Sequence, residues 1–318
     1  MSKFLKLLKN IVPLGLGLYL VYYSFANTSE EDRAQIFAAI KQADLKYVFL
    51  SLVFGALSHL SRAYRWNFLL KPLGYQPSFI LRTLTVMISY FSNLGIPRSG
   101  EVLRATALAT YSDVPFQKGF GTIVTERIID LILLFSFIGF GFLLQRELLL
   151  EVIGNPTFNT YSLFWVAVAM LLFFVCIRKL KRSQKAWAIK IVDFFNGLWT
   201  GMLSVSTMKN KWTFIGHTLF IWLMYLMMFW VVTFALPETS GLSLSAIISA
   251  FIAGGFAMSA TNGGIGLYPL AVAAVLQAFD IPYTQALAFG WVMWTGQTLM
   301  VVVFGSLSFL LLPIFSKK

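Results

Sequence analysis

The sequence predicts an all-α polytopic membrane protein, and three observations carry that prediction. Of 318 residues, 58% are hydrophobic and only 12% are charged, and the apolar residues come in long blocks. A soluble domain carries about 25% charged residues, and the mean hydropathy here is +0.75. The blocks are Ile11–Phe25, Tyr47–Leu60, Leu131–Leu144, Tyr161–Ile177, Phe214–Leu236 and Ala286–Leu312. A spanning helix needs about 20 apolar residues, and backbone polar groups in hydrocarbon must be satisfied within the segment. The alternating segments of a membrane barrel are absent from the sequence. The expectation is therefore about six full spans in a single transmembrane domain over 1–318, in a cell membrane such as an inner membrane.

The topology follows from charge. Lys3, Lys6 and Lys9 keep the N-terminus in the cytoplasm, and the first block reads as a retained signal-anchor with Tyr19, Tyr22 and Tyr23 at the interface. Glu30, Glu31 and Asp32 then fall outside, and the second span delivers Arg62, Arg65 and Lys71 to the cytoplasm. The Tyr161–Ile177 span ends in Arg178, Lys179, Lys181 and Arg182, so the preceding span over 119–145 runs from inside to outside. Residues 72–118 must leave the cytoplasm and return. Within them Ser78–Leu94 is apolar, Gly95-Ile-Pro97-Arg-Ser-Gly100 is a breaker, and Glu101–Tyr111 reads as a second, shorter helix. The lengths favour a re-entrant hairpin over an ordinary pair of spans joined by a tight turn, which the charges would also allow, and with its following span it makes the first half, 72–145.

The second half, 237–312, repeats the pattern upside down. Leu244–Ala260 and Leu267–Phe279 flank the breaker Thr261-Asn262-Gly263-Gly264-Ile265-Gly266, and the last span ends at Lys317 and Lys318, placing the C-terminus in the cytoplasm too. Two opposed hairpins in corresponding places form an inverted repeat, and such interrupted segments point to a binding site near the midplane. Between the halves lies a cytoplasmic linker, 178–211, with an amphipathic helix carrying Trp187, Ile191, Phe194, Leu198 and Met202 on one face.

The net charge of +12 sits at segment ends rather than over a surface, which argues for membrane orientation and against nucleic acid. Cys176 is the single cysteine, and His59 and His217 lack ligand-like spacing, so neither a disulfide nor a metal centre is expected; both histidines read as helix-end or packing residues. There is no phosphate-loop motif and no cofactor signature, so any transport is passive, ion-coupled or partner-driven.

Ionisable residues within membrane segments are functional hypotheses. They concentrate in Arg98, Glu101 and Arg104, then Glu126, Arg127 and Asp130. Arg98 stands beside the start of the second arm, where Ser99 is a candidate N-cap and free N–H groups favour an anion. A guanidinium there suits a phosphate. The substrate-binding candidates are Arg98, Ser99, Arg104 and Asn93 in the first hairpin and Asn262, Gly263 and Gly264 in the second. Glu101, Glu126, Arg127 and Asp130 form a coupling or structural charge network. Ala246, Ala250 and Gly254 read as a packing stripe, and Trp291, Trp294 and Gln297 as interface anchors or cavity residues.

These segments resemble a known family. Ser61-Arg62-Ala63-Tyr64-Arg65-Trp66 with Leu69 to Gly74, the run Asn93 to Arg104, Glu126-Arg127-Ile-Ile-Asp130 and Asn262–Gly266 together resemble the lysylphosphatidylglycerol synthase transmembrane (flippase-like) family, over residues 10–312. The resemblance implies a membrane protein that binds or moves anionic lipids, here as a stand-alone member without the soluble aminoacyl-transfer domain. Many members carry a glutamate after the glycine-rich turn, where this chain has Leu267-Tyr268-Pro269. The expected function is therefore translocation of an anionic phospholipid or polyprenyl-phosphate lipid, with no enzymatic activity. The alternative is a non-transporting partner that presents lipid to a lipid-modifying or glycosyl-transfer enzyme. A homo-oligomer or an enzyme partner is compatible with both.

Overall fold

The computed structural model describes residues 18–24, 26, 28–96, 98–144 and 208–315, with side chains of 141–144 excepted. The Tyr161–Ile177 block, Cys176 and the linker with its amphipathic helix lie outside the described residues. The regular structure of the described residues is entirely helical. Residues 18–24 are helical. They are followed by α1 (Glu30–Gln42), α2 (Leu45–Leu70), α3 (Phe79–Gly95), α4 (Gly100–Tyr111), α5 (Phe116–Leu144), α6 (Lys211–Val232), α7 (Leu244–Ala260), α8 (Leu267–Gln277) and α9 (Tyr283–Leu311). The chain forms two compact units, residues 1–124 with 212–318, and residues 125–211.

The helix α1 is an element that charge alone does not show. The acidic Glu30, Glu31 and Asp32 begin it: Ser29 Oγ accepts from Asp32 N at 3.0 Å, and the three acids face the positive helix end. Ile36 of α1 is buried in the core shared with α6 to α9, in which Phe229 and Phe289 meet edge to face at 5.2 Å.

Two helices of the described residues, Lys211–Ala235 (α6 with its last tight turn) and Tyr283–Leu311, are long and apolar enough to cross a membrane. The 26 residues of α2 and 29 of α5 reach about 39 and 43 Å at 1.5 Å per residue. Phe49, Leu223, Phe256, Leu299, Val303 and Leu310 are exposed on these and neighbouring helices. In water each would forgo about 1.5–3 kcal/mol of burial, whereas lipid removes that deficit.

The two hairpins match in length. The first has arms of 17 and 12 residues before a 29-residue helix. The second has arms of 17 and 11 residues before a 29-residue helix. Each long arm opens on a serine cap: Ser78 Oγ accepts from Leu81 N, and Ser243 Oγ from Ala246 N, both at 3.2 Å. They approach one another from opposite ends of α9. Gly290 lies against Pro269 at the start of α8, Trp294 Nε1 donates to the carbonyl of Gly263, and further along Gly305 leaves room for Phe91 of α3. Ala246, Ala250 and Gly254 are all buried, the last against Tyr268, as a packing stripe requires.

Candidate functional site at the hairpin junction

The breakers exist because neither can continue a helix, and the structure brings them together. Asn262 Nδ2 donates to the carbonyl of Gly95 at 2.9 Å, joining the end of α3 to the turn between α7 and α8. Gly263 sits at φ 59, a conformation that favours glycine, and a Cβ there would stand 2.5 Å from Leu94 Cδ2, so the first hairpin packs closely on it. Asn262 is buried, and its Oδ1 has no hydrogen-bond partner among the described residues. Gly264 is buried beside Met258 and Tyr268.

On the first hairpin the capping differs from expectation. Ser99 does not cap α4; its hydroxyl donates to the carbonyls of Ser92 and Ile96. The cap comes from Asn93, whose Oδ1 accepts from Gly100 N at 2.8 Å. An amide reaching back from α3 satisfies one of the free N–H groups of α4 that are expected to favour an anion. Gly100 permits the close approach, since a Cβ there would lie 2.0 Å from the Ser89 carbonyl oxygen. Arg98 is exposed and adopts φ 57, a left-handed conformation that costs a non-glycine residue about 1 kcal/mol. Such outliers concentrate at functional sites.

Arg104 is placed differently. It is buried, and its guanidinium carbon lies 3.7 Å from the ring centroid of Trp66, itself fully buried with Nε1 donating to Thr122 Oγ1 at 2.8 Å. That is a packing cation–π contact, worth about 2 kcal/mol when desolvated. Glu101 is partly buried on the first turn of α4. In the other unit Glu126 is buried, and Arg127 Nη1 and Asp130 Oδ2 lie 3.7 Å apart, one turn along α5. At 38% and 12% exposure that pair contributes little, within about 1 kcal/mol.

Arg62 and Arg65 lie on the buried face of α2. Both turn inward and are buried, as is Arg82. Arg62 Nη2 donates to Tyr225 Oη at 3.4 Å and Arg65 Nη1 to Thr218 Oγ1 at 3.0 Å, while Arg82 Nη1 donates to Asn67 Oδ1. Tyr90 and Tyr225 share a hydroxyl hydrogen bond of 3.0 Å, and the His59 ring packs tilted against that of Tyr90, with centroids 4.4 Å apart. His217 Nδ1 pairs with Ser61 Oγ at 2.9 Å. Neither histidine is a helix-end residue. The signal was present in the spacing: Gly55, His59, Arg62, Trp66 and Leu69 recur at three and four residues along one buried face of α2. Beside this face, α2 and α6 border an apolar groove of about 540 Å³ lined by Leu57, Tyr64, Phe79 and Phe220, with Ser61 and His217 also on its wall.

Comparison with known proteins bears on this arrangement. The chain is 25% identical over 271 residues to a UPF0104 membrane protein of Methanocaldococcus jannaschii, covering 76% of this chain and 78% of that one. A UPF0104 membrane protein of Pyrococcus horikoshii is 24% identical over 216 residues, 65% of this chain and 61% of that protein. Glycosyltransferase AglD of Haloferax volcanii is 28% identical over 123 residues, 38% of this chain but only 20% of the glycosyltransferase. No solved structure matches the chain. The family model described as the lysylphosphatidylglycerol synthase TM region matches residues 10–305, hairpins and junction included, and the chain is a membrane protein belonging to that family.

Proposed function

We propose that this protein binds the headgroup of an anionic phospholipid or lipid-linked phosphate at the hairpin junction and carries it between leaflets. The observation that carries the reading is the bond from Asn262 to Gly95, which holds the two breakers together with Arg98 exposed beside them. In this reading the hairpins are re-entrant, both termini are cytoplasmic, and the junction lies near the midplane, as broken helices do in secondary transporters. Arg98 receives the headgroup, with the backbone of Gly263 and Gly264 approaching it closely. Arg104 holds the first hairpin against α2 through Trp66, a positioning role. The apolar groove between α2 and α6 has room for acyl chain while the headgroup is inside.

The test is reconstitution of the full chain in phosphatidylcholine vesicles containing fluorescent phosphatidylglycerol, read by dithionite quenching. Wild type accelerates exchange and Arg98→Ala loses most of it; an unchanged rate in Arg98→Ala removes this mechanism. Cysteine at Ser99 that labels from the outside alone, at full aqueous rate, overturns the re-entrant topology.

A second reading is supported by the partial similarity to a protein named as a glycosyltransferase. Here the same junction presents a polyprenyl-phosphate lipid to a separate glycosyl-transfer enzyme. Co-purification of a fixed enzyme partner, with no exchange by the chain alone, favours it over translocation.

A further inference from the structure

We infer that the open base of the first hairpin carries a second binding site, a pocket that selects a polyol phosphate headgroup, one with hydroxyls beside its phosphate. The inference rests on the reading that this chain handles a phosphate-bearing lipid, and it narrows the class of headgroup.

The pocket has a volume of about 260 Å³ and forms where the chain enters α3 and leaves α4, with Phe315, past the end of α9, also on its wall. Ligand pockets run to about 300–1,000 Å³, so this one is of a size for a headgroup rather than a whole lipid. Local backbone fixes it. Gly74, at φ 88, ends the helical turn after α2, and Tyr75 N donates to the Leu70 carbonyl at 3.2 Å. The 17 residues of α3 put this base about 24 Å from the breaker at the hairpin tip. In the re-entrant topology that end is at the membrane surface, where headgroups lie.

The lining mixes donors, acceptors and rings. Tyr75 Oη accepts from Lys118 Nζ at 3.3 Å, and the ammonium lies 5.1 Å from the ring centroid. The phenol keeps its own hydrogen for a ligand, and Lys118 sets a cation beside the pocket. Ser112 Oγ donates to the Leu108 carbonyl and keeps its lone pairs. Gln76 and Asp113 line the pocket and are exposed, and their side chains make no hydrogen bond or ion pair among the described residues. Tyr111 and Phe315 add ring surface for the C–H faces of a polyol.

This set discriminates among headgroups. A phosphodiester without hydroxyls offers the Asp113 carboxylate no hydrogen and is repelled by it. An ammonium headgroup suits Asp113 but meets the charge of Lys118. A polyol phosphate satisfies both: its hydroxyls donate to Asp113 and Gln76, and its phosphate pairs with Lys118.

Binding to the purified full chain is measured for three probes. They are dihexanoylphosphatidylglycerol; dihexanoylphosphatidylmethanol, which has the same charge but no headgroup hydroxyls; and glycerol 3-phosphate, which has no acyl chains. Wild type binds phosphatidylglycerol about tenfold more tightly than phosphatidylmethanol, and Asp113→Ala and Gln76→Ala each erase that preference with melting temperature unchanged. The direction of the Asp113→Ala change is decisive. A carboxylate that only sits near the lipid repels it, so its removal tightens both lipids, whereas one that accepts hydroxyls leaves phosphatidylglycerol weaker when removed. Tightening of both lipids, a preference unchanged in both variants, or equal wild-type affinities overturns the pocket and leaves the junction to the Arg98→Ala test. Glycerol 3-phosphate bound and lost in Asp113→Ala, with neither lipid bound, supports the polyol phosphate site, assigns it to a soluble ligand and overturns the lipid reading. Wild type that binds none of the three overturns the pocket and the junction together.

Discussion

Asn262 and Gly95 are 167 residues apart in sequence, yet the amide of one donates to the main-chain carbonyl of the other at 2.9 Å. The bond caps a carbonyl at the broken end of α3 that the helix itself does not satisfy. Asn262→Ala is expected to lower stability by about 1–2 kcal/mol and to raise thiol-reagent labelling of a cysteine placed at Gly95. Thermal unfolding in detergent and labelling rates check this. Unchanged values in both would mean that the tips hold together without the amide.

Arg104 and Trp66 separate hydrogen bonding from cation–π packing. Trp66→Phe keeps an aromatic face under the guanidinium and loses the bond to Thr122, so it should cost about 1 kcal/mol. Trp66→Leu removes the aromatic face and leaves Arg104 against an aliphatic surface; the expected loss is about 3–5 kcal/mol. Chemical denaturation of the two variants side by side distinguishes them, and equal losses would contradict the stacking role.

Arg98 holds a left-handed backbone without being glycine. Arg98→Gly should stabilise the protein by about 0.5–1 kcal/mol by relieving that conformation, while reducing lipid exchange in vesicles. Opposite signs in melting temperature and transport rate are the signature of a side chain kept for function. A variant that loses stability would show that Arg98 is a structural residue.

Gly100 and Gly95 flank the same turn but differ in surroundings. A Cβ on Gly100 would lie 2.0 Å from the Ser89 carbonyl oxygen, whereas one on Gly95 meets nothing within 4 Å. Gly100→Ala is therefore expected to destabilise by about 3 kcal/mol and Gly95→Ala by far less, measured by unfolding of the purified proteins. Comparable effects would show that α3 and α4 can separate at little cost.

Hydrophobic blocks and breakers made the helical class and both hairpins readable, because Pro97, Gly95 and the glycines after Asn262 interrupt otherwise apolar runs. Their meeting was not readable: nothing local links Asn262 to Gly95. Charge told only part of the story. Arg62 and Arg65 group with Lys71 by charge, but charge alone does not show that both turn inward along α2, which continues to Leu70. Helical spacing with Gly55, Ser58 and His59 would have placed them on the buried face. Ser99 was a reasonable cap by residue type, but the chain doubles back so tightly at Gly100 that Asn93 reaches the amide instead. The helix α1 is not among the expected elements, since its three opening acids carry only a charge signal, and Ser29 is their cap.

The inward arginines of α2 also tie together parts of the chain that are far apart in sequence. Arg62 and Arg65 donate to Tyr225 and Thr218 of α6, some 150 residues further along. Bonds between residues so widely separated carry a large loop-closure cost before they form. Joining α2 to α6 is therefore a long-range step of folding, which neither hairpin can complete by itself.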